Sequence, residues 1–129
     1  MISRLKKLWK SEGQQDIVTP NNYNVKFQLT YEALHIGTLS LEKGVWSFYY
    51  SEDFKNQDEI KPLLEFPDVH KIYESEELLP FFALRIPGLG QPKVQKIIEK
   101  EEIEESNEAQ LLERFGRTTI ANPFILQAL

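Results

Sequence analysis

From Tyr23 onward the chain alternates apolar and polar residues with a period of two. Val25, Phe27, Leu29 and Tyr31 interleave with Lys26, Gln28 and Thr30, the pattern of a strand with one buried face. A second strand is predicted from Ala33 to Leu41, where the apolar parity changes between Ile36 and Leu39. One extra residue at Gly37–Thr38 repairs that parity, so a β-bulge is expected there, at a glycine that tolerates unusual backbone angles. A third strand, Val45 to Tyr50, points Trp46, Phe48 and Tyr50 to one side. Between these two, Glu42-Lys43-Gly44 fits a three-residue hairpin loop with Gly44 left-handed. The three strands read as an antiparallel meander.

The polar stretch from Ser51 to Pro62 reads as a loop. Pro62 to Phe66 and Val69 to Tyr73 follow as short strands, confined to edges or strand starts by Pro62 and Pro67. Helical signals then take over. Ser75 before Glu76-Glu77 marks a helix start, the helix carrying Leu78, Leu79, Phe81, Phe82 and Leu84 and stopping near Pro87-Gly88. Pro80 falls in its first or second turn, where proline is tolerated. Pro92 opens another helix, with Val94, Ile97 and Ile98 as its buried stripe. Asn107 caps a last one holding Ala109, Leu111, Leu112 and Phe115, with Gly116 as its stop. The predicted fold class is α+β: a small bulged antiparallel meander packed with three C-terminal helices, plus a short N-terminal helix.

Three parts follow along the chain: residues 1–22, a basic amphipathic segment and linker; 23–122, one domain; and 123–129, an apolar tail. Residues 1–10 read as a short helix with Ile2, Leu5, Leu8 and Trp9 on one side. Arg4, Lys6, Lys7 and Lys10 lie opposite, with no acid among them. A helix this short is marginal in water, so it is expected to fray or dock back. Its basic amphipathic face also suits an anionic membrane, but stable binding there takes a second anchor, which the sequence does not display.

Composition narrows the chemistry. With 129 residues, 41% hydrophobic and 27% charged, the chain is one domain's worth of ordinary globular protein. Its net charge is −5, which argues against direct nucleic-acid binding, because that depends on neutralising phosphates with Lys and Arg. Cysteine is absent, which removes disulfides, thiol catalysis and Cys-based zinc sites. No apolar run approaches the ~18 residues of a membrane span, and the start lacks a signal peptide's apolar core. A cytoplasmic location is expected.

No catalytic, cofactor or metal site is expected. His35 and His70 each lie in a predicted strand without a ligand partner at close spacing, whereas a metal needs three or four converging ligands. No serine lies in a nucleophile elbow. Gly88-Leu89-Gly90 begins like a phosphate loop, but Lys93 stands where a third glycine belongs, so it reads as a turn between helices. The run from Glu99 to Glu108 reads as a solvated helix face and connection, able to present an acidic patch.

Aromatic residues say more. Trp46, Phe48, Tyr49 and Tyr50 make both faces of one strand bulky. With Phe81-Phe82 and Phe124-Ile125-Leu126, the chain carries more apolar surface than one small core comfortably hides. Two readings stay open: a generous core under a covered sheet, or an exposed patch for a protein partner.

The order of these features resembles the N-terminal subdomain of HipA, the toxin kinase of bacterial toxin–antitoxin systems. The matching features are Ile36-Gly37-Thr38-Leu39, then Trp46-Ser47-Phe48-Tyr49-Tyr50, then Pro62-Leu63. Phe81-Phe82 with Ile86-Pro87 follow, and Leu111-Leu112-Glu113-Arg114-Phe115-Gly116 closes the series. The chain departs from the family at Gly88-Leu89-Gly90-Gln91-Pro92 and after Gly116, where Arg117-Thr118-Thr119 replaces the usual continuation into the kinase. The resemblance implies a non-catalytic domain, since the phosphoryl-transfer elements of the full enzymes lie beyond this subdomain.

It further implies a stand-alone chain like the HipS component of HipBST-type systems, binding a HipA/HipT-type kinase body supplied in trans and restraining it. A HipB-like DNA-binding protein would then be an indirect partner. The expected contact residues are Phe81, Phe82, Arg85, Arg117 and Phe124. The rival reading is a free-standing scaffold domain outside toxin control, membrane-peripheral through residues 1–10.

Overall fold

The computed structural model describes residues 23–129, and the helix and linker expected over 1–22 lie outside them. Five strands form one antiparallel sheet: β1 (Val25–Tyr31), β2 (Leu34–Glu42), β3 (Val45–Tyr50), β4 (Tyr73–Ser75) and β5 (Ile125–Ala128). Their order across the sheet is β4-β3-β2-β1-β5. The meander therefore forms the centre, with one short strand added at each edge. β5 comes from the apolar tail, whose Leu126 is buried opposite Leu29. Among the described residues there are four helices: α1 (Glu52–Lys55), α2 (Pro80–Ala83), α3 (Pro92–Glu101) and α4 (Glu108–Phe115).

The bulge lies one residue before its expected place. Leu29 pairs with Gly37 but Thr30 pairs with His35, so Ile36 is the extra residue of β2. That shift turns Ile36 into the same core as Leu39 and Leu41. Gly37 then lies against β3: a Cβ there would stand 2.6 Å from the Tyr49 carbonyl oxygen and 2.7 Å from the Phe48 ring. The glycine is needed for close approach.

The hairpin between β2 and β3 is tighter than expected. Glu42 pairs with Val45, leaving a two-residue loop in which both Lys43 (φ 52°) and Gly44 (φ 80°) are left-handed. Two such residues match the right-handed twist of the flanking strands.

Pro62 to Phe66 is not a strand but a turn, with Leu63 and Phe66 pointing inward. Tyr50 holds it: the phenol donates to the Phe66 carbonyl (2.6 Å) and accepts from the Leu63 N–H (2.9 Å). Burial pushes the Tyr50 hydroxyl up to about 12, so it stays protonated as a donor. The polar stretch before it contains α1, capped by Ser51, whose Oγ accepts from the Phe54 N–H at 3.0 Å. Phe54, apolar in a polar run, stacks on Tyr50 with ring centroids 4.7 Å apart.

Ser75 ends β4 opposite Trp46 rather than capping a helix. The helix expected from there starts only at Pro80, with Leu79 extended at ψ 135°. A residue before proline is driven out of the helical region, and that delays the helix. Proline at the first helical position loses no needed hydrogen bond. The helix ends after one turn, ahead of Pro87. By contrast α3 and α4 form as read. Asn107 caps α4 by accepting from the Gln110 N–H at 3.0 Å, and Gly116 ends it.

The main core lies between one sheet face, α2, α4 and the 63–66 turn. Phe48 is its centre, with the Phe66 ring 4.7 Å away and the Phe82 ring 5.5 Å away. A second cluster, Val94, Ile98, Ile103 and Leu111, joins α3 to α4. Left-handed Glu102 ends α3 and lets the Ile103 N–H reach the Ile98 carbonyl, folding Ile103 into that cluster. The generous core therefore absorbs most of the aromatic excess. Gly37→Ala is expected to lower stability by about 1–3 kcal/mol through overpacking, read as a lower midpoint in urea unfolding.

Candidate functional site

The five residues expected to make contacts gather at one end of the fold. Pro80 starts a single turn that aims both Phe81 and Phe82 inward, where each is buried. The Phe82 ring stacks near Phe66, and Phe81 lies edge-on to Phe82 at 5.1 Å. Arg85 follows and is 4% exposed. Phe124 is half-buried, its ring 5.9 Å from Tyr31 and 6.4 Å from Phe81. Arg117 is exposed. Phe81, Phe82 and Arg85 thus form the floor, and the segment from Arg117 to Phe124 lies over them.

Arg85 holds that segment in place. One guanidinium nitrogen donates to the Gly116 carbonyl (2.9 Å) and the Arg117 carbonyl (3.1 Å). The other donates to Asn122 Oδ1 (3.0 Å) and the Phe124 carbonyl (3.0 Å). The planar fork suits this, because its donors diverge in fixed directions. Arg85 Nε is buried without a partner among the described residues. Burial lowers the guanidinium pKa to about 10, which still leaves it charged at neutral pH. Carbonyl and amide dipoles, rather than a carboxylate, therefore compensate a buried cation.

Further bonds stiffen the same segment. Thr119 and Asn122 form an isolated antiparallel bridge, and Asn122 Oδ1 also accepts from the Phe124 N–H at 3.1 Å. The Arg117 carbonyl accepts from the Leu126 N–H of β5 at 2.9 Å. At the tip stands Ile120, with a relative exposure of 108%. Neither Ile120 nor Asn122 stood out in the sequence. Their sole trace there was an apolar residue inside an otherwise turn-forming Thr-Thr-Ile-Ala-Asn-Pro stretch.

Glu108 departs from the solvated acidic run. Burial, reinforced by nearby Glu77, pushes its carboxyl up to about 7, although it accepts a hydrogen bond from the Leu78 backbone. It ties the start of α4 to the segment that leads into α2. The other acids from Glu99 to Glu105 are exposed as expected, and Glu101 accepts from Arg114 Nε at 2.8 Å.

A concavity of about 540 Å³ lies where the start of β2 and the end of β3 meet α1 and residues 69–72, and it shares no lining residue with the Arg117–Phe124 segment. It gathers His35 and His70, which the sequence left apart, with Tyr49, Lys55 and Lys71. Its charges are largely engaged. Lys55 pairs with Glu52 at 3.0 Å, Lys71 lies 5.1 Å over the Tyr73 ring, and His35 Nε2 donates to the Gly37 carbonyl at 3.0 Å. Asp53 lines the same groove, so it offers mixed charge rather than a cradle for one sign. Among the described residues no three His, Asp or Glu side chains are grouped to hold a metal. No helix among them is long and apolar enough to cross a membrane.

Arg85→Met is expected to cost about 2–4 kcal/mol, because it strands several buried acceptors. Hydrogen exchange at the Leu126 N–H should accelerate with it; an unchanged rate would show that the segment holds itself. For Glu108 the folded pKa lies above the unfolded one. Its contribution is complete below the ordinary carboxylate range and is lost as pH rises from 4.5 to about 7. Glu108→Gln should therefore flatten that decline and stabilise the protein at pH 8 by about 1–2 kcal/mol, measured by thermal unfolding across pH.

A solved structure described as "N-terminal domain of HipA toxin" has the same fold, with a TM-score of 0.53 at 17% identity. The alignment covers 90% of this chain and 97% of that one. No curated protein matches the sequence. The model of the family described as "HipA N-terminal domain" matches residues 27–121, from within β1 to within the Arg85-held segment. The chain corresponds to the non-catalytic N-terminal subdomain of HipA, distinct from the kinase domain, and it belongs to the HipA N-terminal domain family.

Proposed function

We propose that this chain binds a HipA/HipT-type serine/threonine kinase body supplied by another chain and restrains it, as an antitoxin component does. The single observation behind this reading is the family match over residues 27–121. In HipA the corresponding domain accompanies a kinase, and in HipBST-type systems a small chain of this kind acts on a separate one. The contact surface is the segment from Arg117 to Phe124, with Phe81, Phe82 and Arg85 as the floor that fixes its shape.

Such a module needs no reactive group. Covering part of a kinase lobe is enough to hinder lobe closure or substrate access. Preformed shape favours this role, because a rigid segment loses little conformational freedom on docking. A HipB-like DNA-binding protein would join the assembly through the kinase rather than through this acidic chain.

The test pairs the full chain with a HipA/HipT-type kinase core from the same host. Phosphoryl transfer to a protein substrate is measured with and without the chain. Stoichiometric binding with a dose-dependent fall in kinase activity is expected. Binding without any change in activity would leave a scaffold, and absence of binding would remove the kinase from the account.

A further inference from the structure

We draw no further inference here: the strongest candidate, the groove where the start of β2 and the end of β3 meet α1 and residues 69–72, is an open concavity of mixed charge, and nothing in the structure shows what covers it.

Discussion

A buried guanidinium with no carboxylate partner among the described residues organises one end of this domain. Taking a cation out of water is costly unless its donors are met. Arg85 meets four of them with oxygens drawn from residues 116, 117, 122 and 124. Because those acceptors lie on both limbs of one connection, the charge can be satisfied only when the connection adopts a single shape. The return of the chain to the sheet as β5 depends on it, and so does the presentation of Ile120. A carboxylate would have neutralised the charge locally and left the loop free.

The sheet and the aromatic core supply the rigid base for that arrangement. Phe48, Phe66, Phe81 and Phe82 pack in one group beneath the central strands. Aromatic rings bring large buried area with few rotatable bonds, so α2 can be positioned although it has just one turn. Tyr50 fastens the 63–66 turn against the same group through two hydrogen bonds. Each of these contacts is tertiary: α2 is far too short to persist as a helix on its own.

The two concave or protruding regions differ in how their polar groups are used. In the groove near His35 the charged side chains are mostly satisfied by one another or by the backbone. At the Arg117–Phe124 segment Arg85, Thr119 and Asn122 hold the backbone, and Ile120 at the tip is left exposed. The second arrangement suits recognition of another protein surface, where a preformed apolar anchor matters more than a reactive cluster. It agrees with a family whose N-terminal domain is separate from the kinase chemistry.

The sequence by itself determined the meander, the bulge to within one residue, and the helices opened by Pro92 and capped by Asn107. Those features are written in local alternation, helical spacing and capping chemistry, so a few neighbouring residues suffice to specify them. The order of Gly37, Trp46, Phe81-Phe82 and Leu111-Leu112 also carried the family. Tertiary structure alone decided that Ser75 closes a strand, that Pro62 to Phe66 folds as a turn, and that the tail joins the sheet. It also decided that Glu108 is half-buried, that both histidines share one groove, and that Arg85 reaches across 31 residues and more to shape a loop. Long-range partners of this kind leave no periodic trace in the chain, because their pairing is set by how distant elements pack.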